Sequence, residues 1–107
     1  MNTKEIYRKC IERWGEELQV GMLSEEIGEL LIAVNKYRRK TTEDNKRNVC
    51  EELADVQIMM EQIEILFDLD SSQIHNWYEK KLDKLEEMLM PSGKVTQITS
   101  IKNGEKK

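Results

Sequence analysis

The sequence has little of what β-sheet proteins depend on. Its 107 residues include five glycines, one proline and 6% aromatic residues. A sandwich or a barrel needs more turn-forming, β-branched and aromatic residues than this. Charged residues instead make up 36% of the chain, a composition typical of a helical protein. The length suits one compact domain with a thin core, which pairing with a second copy would stabilise.

Other absences exclude classes of function. No apolar run approaches the roughly 20 residues that a membrane-spanning helix needs, and the N-terminus lacks the apolar segment of a signal peptide. The net charge of −4 argues against binding to a nucleic-acid backbone. We therefore expect a cytoplasmic protein with neither a membrane nor a nucleic acid as its partner.

Histidine and cysteine are also scarce. His75 is the only histidine, and the two cysteines are Cys10 and Cys50. Catalysis of the Ser-His-Asp or Cys-His type would depend on His75, which has no nucleophile motif around it. The cysteines form no CxxC pair, so we interpret them as reduced thiols.

Apolar residues recur at helical spacing in four segments, which run from about 3 to 18, 22 to 40, 41 to 67 and 70 to 89. Gly21 is expected to separate the first two helices, and Ser24 to cap the second. Short connections favour antiparallel neighbours. The sequence therefore predicts an all-α, antiparallel four-helix bundle.

The ends of the later helices are predicted from polar residues and breakers. Thr41 and Thr42 are expected to open the third helix, with Asp44 or Asn45 as rival N-caps. Asp70 or Ser71 is the predicted N-cap of the fourth helix, which Pro91 ends. We expect residues 1–90 to form a single domain and residues 91–107 a tail with one short strand. Large apolar residues exceed what one thin core needs, which predicts a homodimer or homotetramer.

Two acidic clusters, Glu25–Glu29 and Glu51–Asp55, lie inside apolar stretches. In each, acids three residues apart share one helix face, and antiparallel packing would bring the two faces together. For either cluster alone, a solvated helix face is the simpler interpretation. Four converging carboxylates with no histidine or thiolate would instead favour Mg²⁺, or Mn²⁺ as a substitute.

This pattern resembles the EExxE…ExxD signature of the MazG-like proteins, the all-α nucleoside triphosphate pyrophosphohydrolases. Here it reads Glu25-Glu26-x-x-Glu29 and Glu52-x-x-Asp55, after Trp14-Gly15-x-x-x-Gln19-x-x-Met22. The resemblance spans about residues 5–90 and implies that Glu26, Glu29, Glu52 and Asp55 bind Mg²⁺. It also implies hydrolysis of a nucleoside triphosphate between the α and β phosphates, with removal of non-standard nucleotides as the role.

Several residues are candidates for the chemistry of such a site. The sequence offers no convincing covalent nucleophile, so we expect water to attack, with Glu26 or Glu29 taking its proton. Glu25 and Glu51 are interpreted as surface acids. The aromatic ring of Trp14 is a candidate for stacking on the base and Gln19 for meeting its edge, although a core anchor is the commoner role of tryptophan.

Phosphate charge calls for lysine or arginine. The candidates are Lys36, Arg39, Lys46 and Arg47 around the second turn, and Lys81 and Lys84 in the last helix. The first group can equally complement a helix dipole. Leu85 and Met88 stand where relatives of the resembled family carry asparagine and arginine, which weakens the assignment of Lys81 and Lys84.

Two alternatives remain open from the sequence. The same acidic pattern occurs in phosphoribosyl-ATP pyrophosphohydrolase, although the segment from Trp14 to Gln19 fits that enzyme less well. The other alternative is a non-catalytic helical dimerisation or adaptor module, whose acids are merely solvated. Binding of Mg²⁺ would separate this second alternative from both enzymes.

Overall fold

The computed structural model describes residues 1–90, which form three helices. These are α1 (Thr3–Arg39), α2 (Glu43–Leu66) and α3 (Ser71–Leu89). The predicted all-α class is confirmed for the described residues. The predicted strand and tail, residues 91–107, lie outside the described residues.

The prediction of four helices is wrong, because the first two predicted segments belong to one element, α1. Gly21 and Ser24 both lie inside α1, so Gly21 does not end a helix and Ser24 does not cap one. The helical dihedral angles are interrupted at Gly15 instead, where φ is 83° and ψ is 165°. These dihedral angles are essentially restricted to glycine. A glycine with helical dihedral angles, such as Gly21, lowers the free energy of unfolding by only about 1 kcal/mol relative to alanine.

The kink at Gly15 brings the start of α1 back towards later residues. The side-chain Nε2 of Gln19 donates a hydrogen bond to the carbonyl oxygen of Cys10 at 3.2 Å, although nine residues of straight helix span about 13 Å. The hydroxyl of Tyr7 donates to Oε1 of Glu61 at 2.6 Å. That bond to a carboxylate raises the pKa of Tyr7 to about 12.

Alanine substitutions at two glycines of α1 should have opposite effects. We expect Gly15→Ala to lower the free energy of unfolding by about 1 to 3 kcal/mol, because a Cβ is strained at this φ and ψ. Gly21→Ala should raise it by about 0.5 to 1 kcal/mol, since the backbone there is helical and a Cβ would meet nothing within 4 Å. Urea unfolding of the two variants measures both changes, and stabilisation by Gly15→Ala would contradict the kink.

The later helices begin at side-chain caps. Thr42, one of the two threonines expected to open this helix, is the N-cap of α2, and the rival candidates Asp44 and Asn45 lie inside it. The hydroxyl of Thr42 accepts from the backbone N–H of Asn45 at 3.1 Å. Asp70 caps α3, as one of the two predicted alternatives. Its carboxylate accepts from the hydroxyl of Ser72 at 2.8 Å and from the backbone N–H of the same residue at 2.9 Å, and these bonds hold the pKa of Asp70 below its ordinary value.

The core formed where α1 packs against α2 is thin. Its buried members are four apolar residues and two glutamines: Tyr7, Ala33, Val56, Met59, Gln19 and Gln62. The chain divides into two compact units, Met1–Leu69 and the residues from Asp70 onward. No residue of α3 is buried, and none of the described helices has the length and apolar character needed to span a bilayer.

Candidate metal centre and adjoining pocket

Carboxylates from α1 and α2 converge near the middle of the helix pair. One oxygen from each of Glu26, Glu52 and Asp55 lies within 4.8 Å of the others. The charges of Glu29 and Asp55 act on both Glu26 and Glu52. Residues of both predicted acidic clusters therefore meet: Glu26 from the first, and Glu52 and Asp55 from the second.

The environment of these groups disfavours their ionised form. Burial raises the pKa of the Glu26 carboxyl, and the negative charges of Glu29 and Asp55 raise it further. The pKa of the Glu52 carboxyl is also raised, first by burial and then by the charge of Glu29. In both glutamates Oε1 is buried and has no hydrogen-bond partner among the described residues.

Such an arrangement suits a hard cation. Buried oxygens of like charge need a proton or a positive ion nearby to be stable. The donor set of Glu26, Glu52 and Asp55 contains oxygen alone, which Mg²⁺ and Mn²⁺ prefer over the nitrogen and sulfur ligands of zinc sites. The residues present therefore fit the predicted metal.

The other acids of the two clusters lie further out. Glu29 is exposed and stands outside the group of three, although its charge acts on Glu26 and Glu52. Glu25 and Glu51 are exposed, in agreement with their interpretation as surface acids. Glu29 remains a predicted ligand that is close enough to contribute electrostatically.

A pocket of about 200 Å³ adjoins the carboxylates and shares Glu26 and Asp55 with them. Its remaining lining is largely apolar and includes Trp14, Met22 and Met59. The indole of Trp14 is 46% exposed, so part of the ring remains accessible. An apolar group in this pocket would lie beside Glu26 and Asp55.

Two glutamines complete the pocket, one from each helix. Gln19, a predicted base-binding residue, is 1% exposed, and Gln62 is 5% exposed. Oε1 of each is buried and has no hydrogen-bond partner among the described residues. Gln62 is not among the predicted site residues, although it follows Asp55 by two helical turns and therefore shares its face of α2.

Among residues 1–90, no lysine or arginine lines this pocket, so the predicted phosphate-binding residues lie outside it. Lys36 and Arg39 are exposed in the final turns of α1, and Arg47 pairs with Asp44 at 2.8 Å. Lys46 is also exposed.

In the second unit, Lys81 and Lys84 border a surface groove beside Trp77. The Nζ atom of Lys81 lies 5.9 Å from the centroid of the Trp77 ring. At this distance Lys81 makes a cation–π contact with Trp77 on the same helix, α3. The assignment of Lys81 and Lys84 to phosphate binding remains a prediction.

Comparison of the chain with protein-family models, with curated proteins and with solved structures gives no match. The resemblance to MazG-like proteins thus rests on the acidic pattern and its helical context. The functional assignment has to come from the site itself.

Proposed function

We propose that this chain is a Mg²⁺-dependent nucleoside triphosphate pyrophosphohydrolase, which releases a nucleoside monophosphate and pyrophosphate. The observation that carries the proposal is the convergence of Glu26, Glu52 and Asp55 within 4.8 Å, together with the buried, unpartnered oxygens of the two glutamates. A solvated helix face would leave such oxygens in water. The adjoining pocket adds room for a base beside the carboxylates.

Each group then has a role that its position allows. Glu26, Glu52 and Asp55 hold the ion, with Glu29 as a fourth carboxylate beside them. Bound Mg²⁺ would offset the negative charge of the triphosphate and polarise a water molecule for attack. Glu26 or Glu29 accepts the proton that the attacking water loses, so no covalent nucleophile is required.

The substrate would extend in both directions from the carboxylates. Trp14 and Gln19 contact the base within the pocket. Lys36 and Arg39 are the proposed ligands of the outer phosphates, and Lys81 and Lys84, which belong to the second unit, remain predicted phosphate-binding residues. Removal of non-standard nucleotides remains the proposed role, as the resemblance implies.

The direct test is a screen of nucleoside triphosphates and phosphoribosyl-ATP for pyrophosphate release with Mg²⁺. We expect hydrolysis that disappears with a chelator and returns when Mg²⁺ or Mn²⁺ is added. Calorimetric titration of the protein with Mg²⁺ should show saturable binding. If no substrate is hydrolysed and no Mg²⁺ binds, a non-catalytic helical module becomes the better interpretation.

A homodimer or homotetramer is also proposed, because apolar side chains remain exposed on the helix pair. Leu31 is 60% and Ile32 67% exposed. Contiguous exposed apolar surface is typical of a protein–protein interface. We expect sedimentation at micromolar concentration to show at least a dimer of the 12.7 kDa chain. Ile32→Glu should shift the distribution towards monomer, and a monomeric wild-type protein would contradict the proposal.

A further inference from the structure

Two glutamines that line the pocket beside the carboxylates each carry a buried hydrogen-bond acceptor that the protein leaves unused. Oε1 of Gln19 and Oε1 of Gln62 are both buried without a partner among the described residues, and both side chains line the pocket. A buried acceptor without a donor is unfavourable, and native proteins rarely retain one without a reason. A ligand that supplies N–H groups would satisfy these oxygens.

The orientation of the Gln19 amide is fixed by its other end. Its Nε2 donates to the carbonyl oxygen of Cys10 at 3.2 Å, which the kink at Gly15 places within reach. Rotating the amide by half a turn would set two oxygens against each other. Oε1 of Gln19 therefore stays an acceptor, because turning the amide to present Nε2 in its place would break this bond.

The register of α1 and α2 places the acceptors opposite each other. Glu26 follows Gln19 by two helical turns on α1, and Asp55 precedes Gln62 by two turns on α2. Since Glu26 meets Asp55, antiparallel helices bring Gln19 towards Gln62 at the other end of the pocket. Trp14 and the thioethers of Met22 and Met59 supply apolar surface between these ends.

We propose that this pocket selects nucleobases that carry an exocyclic amino group, and rejects their counterparts that carry a carbonyl there. The amino groups of cytosine and adenine are hydrogen-bond donors, whereas uracil and thymine present the acceptor O4 at the position of the cytosine amine. That oxygen would face the fixed acceptor of Gln19. The inference rests on the proposed function, because it assigns the base of the same substrate.

Binding of matched ligands tests the inference without requiring turnover. Trp77→Phe leaves Trp14 as the sole tryptophan, so fluorescence reports on the pocket. With Mg²⁺ present, we expect cytidine monophosphate to saturate at a concentration at least about tenfold lower than uridine monophosphate. Equal affinities, tighter binding of the uridine compound, or no binding of either at millimolar concentration would overturn the inference.

Glutamine variants test whether the acceptors cause the preference. Gln62→Met and Gln19→Met remove one acceptor each, and either should bring the two affinities within about threefold of each other. Gln57→Met changes an exposed glutamine of the same helix, α2, and should retain the preference. Circular dichroism checks folding, and Gln62→Met suffices if Gln19→Met does not fold; an unchanged preference in a folded pocket variant would overturn the inference.

Hydrolysis separates this inference from the proposed function. The rates for CTP and UTP, and for ATP and ITP, form pairs that differ in the amino group. Equal hydrolysis within both pairs would leave the pyrophosphohydrolase standing and overturn the base preference. Preferential binding of cytidine monophosphate without hydrolysis of any triphosphate would support the base preference and overturn the pyrophosphohydrolase.

Discussion

Glu52→Gln is expected to lower the rate of Mg²⁺-dependent hydrolysis by about 100-fold or more. Removing a residue that only supports a metal ligand typically lowers activity by about 10- to 100-fold, and losing a ligand itself should cost at least as much. The substitution keeps the size and helix propensity of the side chain, and removes one charged oxygen from the group formed with Glu26 and Asp55. Steady-state pyrophosphate release measures the change. Turnover close to that of the wild type would contradict the assignment of Glu52 as a ligand.

Two further measurements make this result specific. Glu51→Gln removes the same charge from the exposed neighbouring position and should leave turnover near the wild-type value. Without metal, Glu52→Gln should melt at the same temperature as the wild type or higher. Burial and the charge of Glu29 raise the pKa of Glu52, which means that the ionised form costs stability at neutral pH.

The helices themselves were predictable from hydrophobic periodicity, but the position of the break in α1 was not. Both Gly15 and Gly21 are compatible with a break, since each lacks a Cβ. What decides between them is the packing that follows, in which the amide of Gln19 reaches the carbonyl of Cys10. The residues next to either glycine do not reveal that contact. The prediction therefore placed the break at Gly21 instead of Gly15 and counted four helices where residues 1–90 form three.

The carboxylates were predictable because their spacing has a direct geometric meaning. Acids three residues apart on a helix share a face, and a short connection between α1 and α2 makes those faces meet. Gln62 gave no comparable signal, since a single glutamine in an apolar segment has many roles. Its chemistry becomes visible only when burial and the absent hydrogen-bond partner are known.

Apolar periodicity also predicted more core than the described chain contains. Leu85 and Met88 fall on the predicted apolar face of the last helix, yet they are 54% and 75% exposed. A periodic pattern identifies which face a helix would bury, and does not specify what covers it. The same reasoning applies to Leu31 and Ile32 on α1, for which we propose a second copy of the chain as the cover.

Hydrolysis in ¹⁸O-labelled water should place the label in the nucleoside monophosphate and leave pyrophosphate unlabelled. The pocket and the carboxylate group share Glu26 and Asp55, so we propose that a base held by Trp14 would place the α-phosphate closest to the carboxylates. The described residues include no GxxxxGK[ST] loop to hold the terminal phosphates, as an ATPase of the P-loop type would. We therefore expect water to attack the α-phosphorus.

Mass spectrometry of the products distinguishes the outcomes of that experiment, with Glu52→Gln as the control that should incorporate little label over the same time. Label confined to pyrophosphate would mean that the same bond is broken by attack on the β-phosphorus, which would contradict the proposed placement of the α-phosphate. Orthophosphate and a nucleoside diphosphate as first products would contradict the proposed reaction altogether.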